Sequence, residues 1–272
     1  MRADLHMHSY YSDGTFSIEE LLNKAKSKDL DVIALTDHDS VKGVKEAIQL
    51  GQKMGIRVIP ALELSTYLDG ESVHVLGYFN GPVPEEIIEF SKGVFKARRE
   101  RAYKLGMNMI NIYGLKMDME RLMNQKGMIT RSHLVTEVSL SNPNLTREYI
   151  FNNYLSDDSK GYIPSTKMTT EEGINLLRRN NALIVIAHPT LLKHHKIEEI
   201  LKYHPDGIEA YYPKNKPGDL DHFLSLSKEY NLIVTAGSDF HMENDFSHAD
   251  MATVTLEGEK LKIFLERLGE KK

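Results

Sequence analysis

The chain has 272 residues, a hydrophobic fraction of 41%, a charged fraction of 27% and a formal net charge of −5. Those proportions exclude a fibrous or disordered chain, and the acidic balance disfavours a protein that coats duplex nucleic acid. Cysteine is absent, which excludes disulfides, thiolate ligands and a cysteine nucleophile, so any metal must be held by His nitrogens and carboxylate oxygens.

Residues 2–8 read as a first strand. No charged-then-apolar leader precedes it, which points to a cytoplasmic protein. Residues 18–28 follow as a helix, with Ser17 as its N-cap and Glu20 as the capping-box partner. Next come strand 31–37, helix 41–54 and strands 56–65 and 72–79. After Asn80-Gly81-Pro82 the rhythm changes, and from 84 to 168 the pattern is helical, with one long helix over 85–113 and three shorter ones behind it. Alternation resumes as helix 170–180, strand 182–188, helix 196–203, strand 207–212, helix 219–230 and strand 232–238. A helix near 260–268 closes the pattern. The longest apolar run, residues 182–187, falls far short of the roughly 20 residues of a bilayer span, so no membrane contact is expected.

Strands alternating with helices argue for a parallel sheet with crossover helices. An open doubly wound sheet gathers its ligands at one switch point, whereas the strand ends of an α/β barrel converge on one rim. Nearly every strand here ends in a polar functional residue, which favours a closed or nearly closed barrel. The predicted organisation is a metal-binding barrel from residues 1–82 and 169–272, interrupted by an all-helical insertion, or cap, over 83–168.

The chemistry begins at Asp4-Leu5-His6-Met7-His8, where strand alternation sends His6 and His8 to one face, half of a metal site. Asp13 follows on the Ser12-Asp13-Gly14 turn, in reach of a second cation. Thr36-Asp37-His38-Asp39 ends the second strand. His38 is the ligand, while Asp37 or Asp39 either accepts its other ring N–H or caps the helix at Val41. Glu63 ends an apolar strand, where an unpaired carboxylate would be costly and a bridging ligand resolves the cost. His74 lies mid-strand, His188 precedes Pro189, and Asp239 and His241 share a face at the last strand's end. Together these nine groups are too many for one tetrahedral cation. They suit two or three divalent cations bridged by Glu63, able to activate water and clamp a phosphoryl group. Glu209, at another strand end, either orients a ligand histidine or binds a sugar hydroxyl. Residues 96–101 read as a solvated helix face or as a contact to the tail of a substrate, and residues 193–195 as a polar loop or as a contact to substrate from the rim.

In this order the HxH, S-D-G, T-D-H-D, Glu, A-H-P and S-D-x-H pieces, spread over residues 4–241, make the chain similar to the PHP (polymerase and histidinol phosphatase) family. The resemblance implies a distorted (β/α)7 barrel with a dinuclear or trinuclear centre. It implies one metal on His6, His8, Glu63 and Asp239, a second on Glu63, His74 and His188, and a third on Asp13, His38 and His241. Mn2+ is the implied ion, with Fe2+ or Zn2+ as alternatives.

The helical segment adds Arg98-Arg99-Glu100-Arg101-Ala102, Thr130-Arg131-Ser132-His133 and Lys160-Gly161-Tyr162-Ile163-Pro164. With residues 73–78, these resemble the branch of nucleoside 3′,5′-bisphosphate phosphatases and 5′→3′ exoribonucleases. That branch reads G-R-P-H where this chain has Thr130-Arg131-Ser132-His133, so the Arg and His are kept and the Gly and Pro are not. The implied roles are a bidentate phosphate grip by Arg131 and a second hydrogen bond from His133. His133, His241 or a metal-bound water would protonate the leaving group. The expected activity is hydrolysis of a phosphate ester of a nucleotide by metal-activated hydroxide. Its expected partner is a small phosphorylated nucleotide or a short single-stranded oligonucleotide. Rival readings are a phosphatase of another metabolite such as histidinol phosphate, a C–N amidohydrolase, which has a bridging lysine where this chain has Glu63, and a non-catalytic metal-stabilised PHP module.

Overall fold

A computed structural model describes residues 1–125, 127–156, 158–165, 168–244 and 248–269. The chain divides into two compact units, Met1–Ser91 with Lys167–Lys272, and Lys92–Thr166.

The first unit opens with β1 (Arg2–Asp4), α1 (Ile18–Ser27), β2 (Val32–Leu35), α2 (Val44–Met54), β3 (Arg57–Leu68) and β4 (Glu71–Tyr78). Helix α3 (Glu85–Tyr113) begins in it and continues in the second unit. There α4 (Met119–Met123), α5 (Arg131–Ser141), α6 (Arg147–Ile150) and a π-helical turn over Phe151–Leu155 follow. The first unit resumes with β5 (Met168–Thr169), α7 (Thr170–Arg179), β6 (Leu183–Ile186) and a 3-10 turn over Pro189–Leu191. It ends with α8 (Ile197–Leu201), β7 (Gly207–Tyr211), α9 (Asp219–Glu229), β8 (Ile233–Ala236), β9 (Leu256–Glu257) and α10 (Gly258–Gly269).

Reciprocal capping boxes, Ser17 with Glu20 and Thr169 with Glu172, start α1 and α7, and each cap contributes about 1 kcal/mol. Helix α2 starts at Val44 behind Gly43, not at Val41. The two acids proposed to cap it are engaged elsewhere: Asp39 Oδ1 accepts Ser65 N–H at 2.8 Å, and Asp37 accepts Ser9 N–H at 2.7 Å.

The strand order is β8-β7-β6-β4-β3-β2-β1-β9, with β5 beside β3. β1, β2 and β3 pair in parallel, as do β6, β7 and β8, but β4 is antiparallel to both β3 and β6. The all-parallel sheet expected from alternation is therefore corrected at β4. Only Asp69 and Gly70 separate it from β3, with φ of 40° and 98°. Positive φ at both positions is a type I′ hairpin, and two residues leave no room for a crossover helix. Past β1 the chain pairs with the segment after β8. Leu5 N–H donates to Ala236 O at 3.0 Å, His8 N–H to Phe240 O at 2.8 Å and Asp239 N–H to His6 O at 2.9 Å. These bonds bring β1, β2, β3, β4, β6, β7 and β8 round into a nearly closed barrel.

Both faces of the sheet are buried, which explains the apolar strands. Val32, Ala34, Leu183 and Val185 share the inner core with Leu5, Ile59, Ala61, Leu76 and Tyr78, joined by Leu261, Phe264 and Leu268 of α10. Ile33, Leu35, Ile184 and Ile186 pack outward with Leu21, Leu22, Ala47 and Leu177 of the surrounding helices. Along β3 the inward positions run Ile59, Ala61, Glu63, and along β4 they run Tyr78, Leu76, His74. The apolar interior thus gives way to ligands at one level. The second unit has its own core, including Leu105, Met109, Leu122, Leu134, Val138 and Leu155. Among the described residues no helix is long and apolar enough to cross a membrane.

Candidate metal centre

Eight of the nine ligand candidates lie at an inward strand position or just past a strand's end. On β3 Glu63 pairs with Leu76 and Ser65 with His74, so Glu63 and His74 are diagonal neighbours on one face. Residues 6 and 8 follow β1, His38 follows β2, His188 follows β6, and Asp239 and His241 follow β8. Asp13 sits in the turn beyond His8. Buried Asp37 shapes that turn by accepting the Ser9 and Ser12 hydroxyls at 2.7 and 2.6 Å. It does not serve the ring of His38 in the role considered for it.

Five imidazoles converge on the fully buried Glu63. Its Oε1 is 3.0 Å from His74 Nδ1 and 2.9 Å from His188 Nε2. Its Oε2 is 3.0 Å from His38 Nδ1, 3.2 Å from His8 Nε2 and 3.3 Å from His6 Nε2. Asp239 Oδ1 faces the same pair, 3.2 Å from His8 Nε2 and 3.4 Å from His6 Nε2. Asp13 Oδ1 is 3.3 Å from His241 Nε2, and Asp13 Oδ2 is 3.9 Å from His38 Nε2. Ligand atoms cluster as His6, His8, Glu63 and Asp239; as His8, Asp13, His38 and His241; and as His38, Glu63 and His74. His188 falls outside these clusters but shares Glu63 Oε1 with His74.

The surrounding layer fixes which nitrogen each ring presents. Glu209, fully buried on β7, lies 3.0 and 3.2 Å from His6 Nδ1 and accepts the His188 backbone N–H at 2.8 Å. Of its two proposed roles, orienting a histidine is the one this geometry matches. His6 Nε2 is thereby turned to the centre. His241 Nδ1 donates to the Asp239 carbonyl at 2.9 Å, which leaves Nε2 for Asp13. The Tyr212 hydroxyl donates to Asp239 Oδ2 at 3.1 Å, a contact that sequence reasoning missed although Tyr212 closes the strand pattern carrying Glu209. His188 and Asp239 adopt left-handed backbone, φ 26° and 55°, at a cost of roughly 1–3 kcal/mol each. The hydrogen bonds from their N–H groups to Glu209 and His6 O hold them there.

Two expected outcomes follow from this layer. Glu209→Gln should weaken metal binding by about 10–100-fold with little change in melting temperature, read by metal titration of stripped protein. Gly237→Ala would place a Cβ 2.2 Å from His6 Cβ and 2.5 Å from Glu209 Oε1. That overpacking should cost about 1–3 kcal/mol and lower the melting temperature by about 2–4 °C per kcal/mol, measured by calorimetry.

The side chains of the centre, taken alone, form a lattice of mutually stabilised charges. Burial opposes ionisation of Glu63, yet His38, His6 and His74 hold its carboxyl well below the usual range. Asp239 is likewise depressed against burial, by His6 and His8. Burial lowers His8, but the neighbouring Asp239 and Glu63 carboxylates push it up to about 10. Burial and neighbouring imidazoles carry His74 and His241 the other way, below the ordinary histidine value.

The donor set fits metal. His6 Nε2, His8 Nε2, Asp13 Oδ1, His38 Nδ1, Glu63 Oε2 and His74 Nδ1 are buried without a hydrogen-bond partner. Six such atoms aimed at one another would be costly in a protein that bound nothing there. Nitrogen and carboxylate donors suit Mn2+, Fe2+ or Zn2+.

Arg131 and His133 belong to the second unit. Arg131 opens α5, its guanidinium donating to Leu155 O at 3.2 Å and lying 5.3 Å from the centre of the Phe151 ring. His133 Nδ1 accepts the Thr130 backbone N–H at 3.1 Å, which makes Nε2 the protonated nitrogen of the neutral ring. Within residues 96–101, Arg101 Nε donates to Ile163 O at 2.7 Å, so this run is partly structural. The 193–195 loop is tied by its backbone N–H groups to the Glu71 carboxylate.

A family description, PHP domain, matches residues 4–240. The chain is 26% identical over 249 residues to the 5′-3′ exoribonuclease Rnm of Escherichia coli, covering 88% of this chain and 84% of that protein. It is 27% identical over 247 residues to a 3′,5′-nucleoside bisphosphate phosphatase of Chromobacterium violaceum, covering 88% and 86%. A solved structure from Bifidobacterium adolescentis superposes with a TM-score of 0.83 at 23% identity over 97% of this chain and 96% of that one, a likeness of fold.

Proposed function

The chain belongs to the PHP family of metal-dependent phosphoesterases, and we propose that this member releases phosphate from nucleotides, either nucleoside 3′,5′-bisphosphates or short 5′-phosphorylated oligonucleotides. The observation that carries the hydrolytic part is Glu63, whose two oxygens meet two different sets of imidazoles. A carboxylate so placed can bridge two cations.

Bound divalent ions would neutralise the phosphoryl oxygens and make water deprotonable near neutral pH. The chain's part is to hold and orient. His6, His8, Glu63 and Asp239 would hold one ion, Glu63, His74 and His188 a second, and Asp13, His38 and His241 a third. Glu209 and Tyr212 fix His6 and Asp239 in the orientation that this needs. No serine or cysteine nucleophile is required.

The nucleotide part of the proposal draws on the two named relatives and on Arg131 and His133. Arg131 is assigned to a phosphate oxygen pair, and His133, with Nε2 protonated, to a second donor contact. His133 is the side chain assigned to protonate the leaving alkoxide, because His241, with Nδ1 on the Asp239 carbonyl and Nε2 turned to the centre, has no proton to give while it holds an ion. The test is phosphate release by the Mn2+-loaded chain from a nucleoside 3′,5′-bisphosphate, a 5′-phosphorylated trinucleotide and histidinol phosphate. The proposal expects turnover of a nucleotide substrate to exceed that of histidinol phosphate, and Arg131→Ala to lose at least about 100-fold in kcat/KM. Equal turnover of histidinol phosphate, or an Arg131→Ala variant as active as the parent, would overturn the nucleotide assignment.

A further inference from the structure

We infer that Asp239, His241 and His248 form an outer cation-binding position, with His248 as a ligand additional to the nine of the centre. Among the described residues these three offer ligand atoms within 4.8 Å of one another. His248 Nε2 lies 4.0 Å from Asp239 Oδ2, and its ring stacks on His241 with centroids 3.9 Å apart and planes at 21°. Two ligands each about 2.1 Å from a shared ion lie roughly 3–4 Å apart, which the spacing of His248 Nε2 from Asp239 Oδ2 meets, while the His248 ring would tilt off the face of His241 to aim its in-plane lone pair at the same ion.

Asp239 is built to face two ways. Its Oδ1 addresses His6 and His8, whereas Oδ2 addresses the Tyr212 hydroxyl and His248. Described residues on both sides of His248 are tied to the first unit's early elements. Lys24 Nζ reaches Glu243 Oε1 at 2.8 Å and Asp250 Oδ1 at 2.9 Å, and Lys28 Nζ reaches Asp250 Oδ2 at 2.9 Å. Farther along, Ala252 N–H donates to the buried Asp4 carboxylate at 2.9 Å. These contacts hold Glu243, Asp250 and Ala252 to α1 and β1.

A consequence concerns His241. Its Nδ1 is committed to the Asp239 carbonyl, which leaves Nε2 alone for a metal. One imidazole nitrogen holds one cation, so His241 serves either Asp13 and His38 or the outer position. The His248 side chain is 30% exposed, whereas the Asp239 and His241 side chains are each 6% exposed. The outer position is therefore the weaker and more readily exchanging one, suited to a divalent ion that accepts mixed nitrogen and oxygen donors.

The inference rests on the metal-centre reading and not on any substrate, and it is tested by metal binding alone. Chelator-stripped protein is titrated with Mn2+, the free ion being read by electron paramagnetic resonance, for the parent, His248→Phe and His248→Ala. Phenylalanine keeps a ring against His241 and removes the nitrogen. Both variants should weaken the weakest class of Mn2+ sites by at least about tenfold and leave the tighter classes within about twofold. A His248→Phe isotherm that matches the parent would mean that stacking is the residue's whole role, and the inference falls. As a check independent of any variant's folding, 15N-histidine spectra of the unmodified protein titrated with Zn2+ should show His248 Nε2 shifting with the last equivalent. A His248 signal unmoved at saturation overturns it, whatever the chain proves to hydrolyse.

Discussion

Glu63→Gln will lower phosphoester hydrolysis by at least about a thousandfold and strip the protein of tightly bound metal, while the chain stays folded. The substitution keeps volume and shape in a fully buried position, so the loss is chemical rather than steric. An amide has one oxygen to offer where the carboxylate has two. Whichever way it turns, either His74 and His188 or His38, His8 and His6 face an amide nitrogen that cannot ligate a cation. The shared ligand is gone, and two ions can no longer be held side by side. The surrounding imidazoles lose their counter-charge as well, but a histidine can meet that loss by giving up its proton, so the barrel need not unfold. Metal analysis after gel filtration, steady-state kinetics and a melting curve check the three parts separately. Parent-like turnover with a full metal complement would sink the idea that Glu63 bridges the centre. A folded, metal-poor and inactive variant would support it, and would also set aside the reading of the chain as a non-catalytic module, provided the parent is active.

Much of this site is legible in the sequence because ligands at strand ends advertise themselves. His38, Glu63, His188 and Asp239 each stand where an apolar run stops, and strand period alone puts His6 with His8 and Asp239 with His241. What the period does not carry is direction. The pattern of β4 reads the same in either orientation, and the signal for its reversal is the Asp69-Gly70 pair, a hairpin turn between two apolar runs. Nor does period carry long-range pairing. Glu209 and His6 lie 203 residues apart, so the choice between orienting a histidine and binding a hydroxyl waits on three dimensions. The strand expected over 2–8 keeps regular pairing with β2 only to Asp4 and then pairs with the segment after β8. That change coincides with the Asp4 carboxylate accepting the Ser238 backbone N–H at 2.9 Å. His248 follows no strand and obeys no period, so only spatial neighbourhood brings it to notice.

Removing the metal should change the sign of the pH dependence of stability on the alkaline side. In the stripped protein His8 is raised from 6.5 to about 10. A raised histidine contributes stability that is fully present below its unfolded value of 6.5 and is lost as pH climbs through about 10. Glu63 and Asp239 are depressed, so their contribution is present above the ordinary carboxylate range and is lost in acid. Stripped protein should therefore be most stable in mildly acidic solution and should weaken steadily from about pH 6.5 to 9. The loaded protein should behave in the opposite way, because the nitrogens that carry protons in the stripped centre must be neutral to bind a cation. Each imidazolium displaced steepens the rise of metal affinity by about tenfold per pH unit. At a free Mn2+ concentration about 100 times the dissociation constant, binding adds about 2.7 kcal/mol, or roughly 5–10 °C in melting temperature for a chain of this size. The gap between melting curves taken in Mn2+ and in chelator should therefore widen from pH 6 to 9, the chelator curve falling as the Mn2+ curve holds or rises. A gap that stays constant or narrows over that range would mean that cations do not displace protons from these imidazoles, and the charge lattice around Glu63 would need another occupant.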